Sequence, residues 1–317
     1  MYCVEEVFTI VSNTYGIMRI FTKLSRFITF TFLTSTFLVG CEEKDNPDLV
    51  PSYIHIEQID LISNYNQGTA SHKITDAWVY ADETLIGAFE LPATVPILRK
   101  GQQKITIRPG IKINGIANTR SIYPFYSTIE RTLNLVQDSV ITISDAVVTY
   151  KSNVDFPWLE NFDLTGITLD TTAKSTVGII KSNDPALLFG YKNEDNNYSA
   201  LIRMTGDTAV FEATTIGKYD FPGNGAAVFL EMNYKANQTM VVGVIYLASG
   251  IRVQRPLLYL NKTDEWKKIY VNLTVPKYDT PSATDFQIFF GAQKEEGLEE
   301  SLIALDNLKL VHFNISK

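Results

Sequence analysis

Three kinds of side chain in this sequence could do chemistry: a single well-placed thiol, a carboxylate set in an apolar strand, and a large stock of tyrosine. Cys41 directly follows Leu38, Val39 and Gly40, at the end of an uncharged run of fourteen residues, FITFTFLTSTFLVG. Asp306 sits in SLIALDNLKLVHF, where Leu302, Ala304, Leu308 and Leu310 share its parity and would turn it inward. An inward carboxylate needs a partner, because an unpaired buried charge is costly. There are 16 Tyr and 3 Trp, whose flat faces suit stacking on pyranose rings. Tyr191 and Tyr198 in YKNEDNNY, Tyr219 in IGKYDFPGNG, and Tyr246 lie in or near turn-rich segments, and such loops above a rigid sandwich are where ligand contacts collect. These four are the candidate ligand-binding residues. Trp266, in WKKI, reads as core, and Trp158, after Pro157, reads as packing at a domain junction.

Catalysis finds few parts. His55, His72 and His312 are far apart and have no metal-ligand spacing. No G-x-S-x-G elbow occurs. Glu295, Glu296, Glu299 and Glu300 flank Gly297 in what reads as a solvated loop rather than the paired carboxylates of a glycosidase. The chain is therefore expected not to be an enzyme. Its 28 basic against 35 acidic residues, a formal charge of −7, argue against nucleic acid, whose binding relies on phosphate neutralisation.

The elements that would position these residues are strands. Phe, Tyr, Thr, Val and Ile dominate, and the apolar period is close to two almost everywhere. KITIRPG from Lys104 and SVITI from Ser139 alternate cleanly, and no stretch carries a helical stripe. Residues 52–150 and 151–317 read as two β-domains that meet near Lys151. In the second, NYSALIRMTGDTAVFEA reads as two strands. Ala227–Tyr234 and Met240–Leu247 read as a strand pair turning at Asn237, and Ile269, Val271, Leu273 and Val275 share one face. Short strands with turn signals between them point to an all-β fold of sandwiches or barrels.

The first 40 residues read as a secretory signal: Arg19, Lys23 and Arg26, then an apolar run too short to span a bilayer. The acidic residues ahead of Met18 place the expected start there. Removing those three basic residues together with Glu5 and Glu6 leaves a charge of −8 and one cysteine. Leu38-Val39-Gly40-Cys41 resembles the lipobox of bacterial lipoproteins, which implies acylation at Cys41, palmitate among the chains, and a membrane anchor. Residues 41–51 read as the tether. Glu42-Glu43-Lys44-Asp45 resembles the acidic export signal of Bacteroidetes surface lipoproteins, which implies an outer-membrane anchor facing the cell surface.

Two further resemblances concern the domains. AWVYADETLIGAFELPATVPILRKGQQKITIRPGI resembles PEGA-type surface modules, with a strand, an Asp82-Glu83 turn, and a second strand. The order of Phe162-Asp163, WKKIYVNL and LDNLKL over 158–313 resembles jelly rolls related to non-catalytic carbohydrate-binding modules. Together the two resemblances imply an all-β chain, a small sandwich followed by a jelly roll, and the second implies glycan binding and a structural calcium held by Asp306 and by Asp163. The alternative is a structural or protein-interaction lipoprotein that binds outer-membrane partners in an envelope complex and takes no sugar.

Overall fold

The computed structural model describes residues 50–192 and 196–315. Cys41, the signal segment and nearly all of the tether lie outside the described residues. Among the described residues no helix is long and apolar enough to cross a membrane.

The alternating stretches form strands, as expected of an all-β chain. The first group is β1 (Ser52–Ile56), β2 (Asp60–Ile62), β3 (Asp76–Ala81), β4 (Thr84–Glu90), β5 (Ala93–Ile97), β6 (Gly101–Lys112), β7 (Arg120–Ile122), β8 (Ile129–Leu135), β9 (Val140–Ile143) and β10 (Val147–Thr149). One layer is the sheet β4-β3-β6, with β7 and β8 on different parts of β6. Facing it are the sheet β5-β1-β9 and the pair β2-β10. Side chains two apart point the same way. Ile54 and Ile56 therefore meet Val79, Ile105 and Ile107 in one buried core, while Lys104 and Arg108 face water. The hairpin β3–β4 turns at Asp82 and Glu83, both at positive φ, the two-residue turn whose twist matches the strands. Asp82 suits that turn because its carboxylate accepts from the Lys104 amide at 2.9 Å and from Arg99 at 3.1 Å.

The second group is β11 (Val154–Glu160), β12 (Leu169–Thr171), β13 (Ile180–Ser182), β14 (Ser199–Met204), β15 (Val210–Thr215), β16 (Val228–Ala236), β17 (Met240–Ala248), β18 (Ile251–Leu260), β19 (Thr263–Asn272), β20 (Thr284–Gln293) and β21 (Ser301–Phe313). They make a sandwich of two antiparallel sheets. One is β13-β14-β21-β16-β19 with β11 beside β21, and the other is β12-β15-β20-β17-β18. Trp158, Met232, Val244, Phe290 and Leu310 are among the residues of its core. Trp158 thus belongs to this core rather than to a junction, and its indole N–H donates to the Thr168 hydroxyl at 2.8 Å.

Several sequence expectations are corrected here. β16 and β17 exist but do not pair, since they lie in different sheets. The Asn237–Thr239 turn crosses between layers. The Asn237 amide donates to the Glu300 carbonyl, and that of Gln238 to the Gln293 carbonyl, so the crossing is tied to both sheets. The stripe through Ile269, Val271 and Leu273 breaks at Val275, because the short helix α1 (Thr274–Asp279) starts there and leaves Val275 exposed. β21 also changes phase. Ile303 and Leu305 face the core, then Asn307 at positive φ inserts a bulge, and Leu308 and Leu310 face it next. The Leu302 and Ala304 parity that would have turned Asp306 inward therefore belongs to the other face.

That other face is covered. Phe229, Tyr270 and Val311 project from the six-stranded sheet into the first core. Between them lies a buried polar network. The Glu231 carboxylate accepts from the Tyr123 hydroxyl at 2.8 Å and the Tyr150 hydroxyl at 2.9 Å, and pairs with Lys268 at 3.2 Å. Tyr126 and Tyr270 share a hydroxyl contact at 3.1 Å, and Ser71 donates to Asn233 at 2.9 Å. Burial and the Glu231 charge push the Tyr123, Tyr126 and Tyr150 hydroxyls well above the usual phenol range, so they stay protonated as donors. Val50–Lys317 forms one compact unit in which both cores are joined through this layer.

Candidate functional site

With its six-stranded face sealed, the second sandwich offers a ligand the outward face of its five-stranded sheet. The register of that sheet sets the side chains in rows, because directly paired residues share a face. One row runs Glu212, Gly291, Val241, Tyr259. The next runs Thr214, Phe289, Gly243, Pro256, and a third holds Gln287, Ile245 and Gln254.

Glycine at two central positions shapes this face. A Cβ on Gly243 would collide with the Arg255 carbonyl and the Phe289 ring, so its absence lets that ring lie down on the sheet. A Cβ on Gly291 would come within 3.1 Å of Val241. Glycine inside a strand often marks such a close approach. The result is a groove of about 350 Å³ with Val241 and Gly291 on its floor, the covered Phe289 ring and Glu212 and Gln254 at one end, Tyr259 on one wall, and Thr239 and Glu295 at the other end.

The polar groups of the groove are held in place. Burial alone would raise the Glu212 carboxyl, but hydrogen bonds from Gln254, Thr172 and Lys174 outweigh it and hold the group below the usual range. The Thr239 amide does the same for Glu295, donating at 2.9 Å. Both ends of the groove therefore present carboxylate oxygens that accept hydrogen bonds. Tyr259 is 66% exposed and offers a free aromatic face beside them. Carboxylates with an adjacent aromatic surface match the hydroxyls and apolar faces of a sugar.

The tyrosines expected to bind are not gathered at this groove. Tyr246 lies on the inward side of β17, its ring tilted against Phe286 in the core at 5.3 Å. Tyr219 and Tyr198 are half-buried against the same core, and Lys181 lies over the Tyr198 ring. Tyr191 packs beside Phe189 and His72, away from the sheet face. Trp266 is on the covered side, edge-on to Phe189 at 5.4 Å, and not in the core as its sequence context suggested. The groove residues Glu212, Gln254, Tyr259 and Glu295 were missed by sequence reasoning. The signal was there in Gly243 and Gly291, single glycines inside otherwise apolar strands.

Asp163 and Asp306 do come close. Asp306 is fully buried; its Oδ2 accepts from Ser199 at 2.6 Å and Asn196 at 2.8 Å, and its Oδ1 from the Asn307 amide at 2.7 Å. Burial pushes its carboxyl up to about 7 against those bonds, and the Asp163 charge adds to the rise. Asp163 accepts from the amides of Asn197 and Tyr198 at 3.0 and 3.2 Å. Asn161, Asn196 and Asn307 line the small space beside Asp163. This donor set is rich in hard oxygen, as calcium requires. Each carboxylate already accepts three hydrogen bonds, the third on Asp163 coming from the Asn161 amide at 3.3 Å, so an ion would add to or displace N–H and O–H donors. No cluster of three or more His, Cys, Asp or Glu side chains suited to a metal occurs among the described residues.

A larger cleft, about 480 Å³, lies beside the sealed layer between Ile111, Ile122, Ala227, Val275 and Tyr278. Its lining, like that of the groove, is mostly apolar, but it holds no carboxylate.

No protein-family model matches this sequence, and no curated protein matches it. Among solved structures, it is similar to the CBM22-1-GH10 modules of Clostridium thermocellum endo-1,4-beta-D-xylanase 10B complexed with xylohexaose, at 9% identity and a TM-score of 0.37, over 50% of this chain and 28% of that one. A xylan-binding domain from CBM 22 is similar at 12% identity and a TM-score of 0.35, over 51% of this chain and 97% of that one. A carbohydrate-binding module of the β-sandwich superfamily is similar at 14% identity and a TM-score of 0.38, over 83% of this chain and 98% of that one.

Proposed function

We propose that this protein is a non-catalytic glycan-binding lipoprotein, anchored through Cys41 in the outer membrane, facing the cell surface, and binding sugar on the open face of its second sandwich. The row Glu212, Gly291, Val241, Tyr259 carries the binding half of the proposal, since it sets a carboxylate and an exposed aromatic face on opposite sides of a groove. Titration of the purified protein with xylan, mannan, glucan and galactan oligosaccharides tests it. Binding that weakens in Tyr259→Ala and Glu212→Gln supports the site, and binding unchanged in both moves it elsewhere.

The anchor rests on the sequence around Cys41 alone. Palmitate labelling in cells should mark the wild type and spare Cys41→Ser, and protease shaving of intact cells tests surface exposure. A calcium ion between Asp163 and Asp306 requires Asn161 and Asn196 to turn their amide oxygens inward. A Tm that rises when calcium is added to metal-free protein supports the ion, and an unchanged Tm removes it. The division of the chain at residues 150 and 151 stays part of the proposal. The second reading, an envelope-complex component with no sugar ligand, draws on the apolar cleft of Ile111, Ile122 and Val275 and gains if no glycan binds.

A further inference from the structure

Gln254 and Glu212 stand on strands separated by two others, β20 and β17. Their side chains nevertheless meet: the Gln254 Nε2 donates to Glu212 Oε2 at 2.8 Å. Lys174, from the segment after β12, closes the contact by donating to Gln254 Oε1 at 2.7 Å and to Glu212 Oε2 at 3.2 Å. Thr172 donates to the remaining Glu212 oxygen at 2.8 Å. These four side chains form a strap from one side of the face to the other. Such a contact closes only if the sheet curves so that β15 and β18 lean toward each other.

The strap divides the face. Phe289 lies between Glu212 and Gln254 in the register, and although it points outward only 2% of it is exposed. A free aromatic floor would be open to solvent, so this ring is covered. The groove lies on the Gly291 side of the strap, toward Tyr259 and Glu295. On the far side the outward positions are committed to one another, Arg252 donating to Gln287 at 2.7 Å and Gln287 to the Thr215 carbonyl.

From this arrangement we infer that the groove takes the end of a glycan chain and not its interior, with the Lys174–Gln254–Glu212 strap as the wall against which the terminal sugar stops. This inference rests on the glycan-binding proposal above and adds to it which part of the polymer is recognised. The strap fixes the length of the site: sugars beyond those between Glu295 and the strap add no contacts. It also orients the terminal sugar, since the Glu212 carboxylate and the Gln254 amide offer a fixed acceptor and donor at the closed end.

The test is a length series. Xylo-, manno-, cello- and galacto-oligosaccharides from one to six units are titrated into the purified protein by calorimetry, in the wild type and in the double variant Lys174→Ala, Gln254→Ala. Both substituted side chains lie at the surface, and an unchanged Tm confirms that the variant is folded. The wild type is expected to reach its full affinity by the trisaccharide, within about twofold of the hexaose. The double variant is expected to prefer the hexaose by roughly tenfold, about 1.4 kcal/mol. A wild-type affinity that keeps climbing to the hexaose overturns chain-end recognition and leaves glycan binding standing. A plateau unaffected by the double variant overturns the strap as its cause. No binding by any series overturns the glycan reading itself, and this inference with it.

Discussion

The two outward faces of the second sandwich are written in the same strand grammar and end in opposite states. On the six-stranded sheet, Glu231, Asn233 and Lys268 alternate with core residues and are buried beneath the first sandwich, each matched to a dedicated partner. On the five-stranded sheet, Glu212 and Gln254 alternate with core residues in the same way. No sandwich layer covers them; only the Thr172–Lys174 segment reaches over Glu212, and Glu212 and Gln254 bond to one another beside the open groove. A polar residue at every second strand position therefore says only that it faces away from its own core. Whether it becomes a structural charge or a binding group depends on what comes to lie on top of it.

The sealed face supplies the largest expected effect. Glu231→Ala would leave the Lys268 ammonium, whose side chain is 3% exposed, without its counter-ion, and the Tyr123 and Tyr150 hydroxyls without their acceptor. Breaking a buried pair from one side costs about 3 to 5 kcal/mol. Urea denaturation should show that loss. Glu212→Gln, on the open face, keeps one acceptor oxygen for its partners and leaves only the largely exposed Lys174 without its counter-ion, so it should cost less, about 1 to 2 kcal/mol. Equal losses in the two variants would erase the distinction between the faces.

The edge of the sealed layer is expected to respond to acid. Burial holds the His72 imidazole down at about pH 4, against the attraction of Asp60, while Lys192 and Lys268 add to the lowering and Tyr191 packs edge-on to the ring. The unfolded chain takes up this proton near pH 6.5 and the folded protein only near pH 4, so between these values unfolding binds a proton. Stability contributed by neutral His72 is complete above pH 6.5 and is lost as pH falls toward 4, by up to about 3 kcal/mol. The buried Asp306 carboxyl, raised to about 7, gives a slope of opposite sign over part of the same range. The informative quantity is therefore the difference between wild type and His72→Gln. If the two stability profiles run parallel from pH 7 to 4, His72 contributes nothing of the kind.

Much of the fold was legible because burial enforces a period of two. The strands around Ile105 and Ile107, the Asp82-Glu83 turn and the closing strand from Ser301 follow from alternation and turn chemistry. Pairing did not follow. Only three residues separate Ala236 from Met240 in a turn that looks like a hairpin, yet the chain switches sheets there, because Asn237 and Gln238 bond to residues at the ends of β21 and β20, far away in sequence. The bulge at Asn307 was hidden for a similar reason, since one extra residue reverses every later side chain without any change in composition. The groove needed the register as well: Glu212, Gly291 and Tyr259 are scattered over 80 residues and become one row only when β15, β20, β17 and β18 are aligned.

On the open face, the glycine that shapes the floor should matter for both folding and binding. Gly243→Ala places a methyl against the Arg255 carbonyl and the Phe289 ring, and the backbone neighbour cannot swing away. Overpacking of this kind costs about 1 to 3 kcal/mol, and a displaced Phe289 would fill the groove. Both the urea midpoint and oligosaccharide affinity should fall. A variant that loses affinity without losing stability would show that the glycine serves the ligand alone.

The smallest of these effects separates exposed from buried tyrosine. Tyr259→Ala removes the one largely exposed ring in the row that faces Glu212, and should weaken glycan binding by roughly tenfold, about 1.4 kcal/mol, with little change in Tm because the ring is 66% exposed. Tyr246→Phe removes only a hydroxyl from a ring inside the core, and should leave affinity within about twofold of wild type. Calorimetric titration of both variants with the same oligosaccharide decides between them. If Tyr246→Phe weakens binding and Tyr259→Ala does not, the ligand enters through the loops at the end of the sandwich, and the open sheet face is only its side wall.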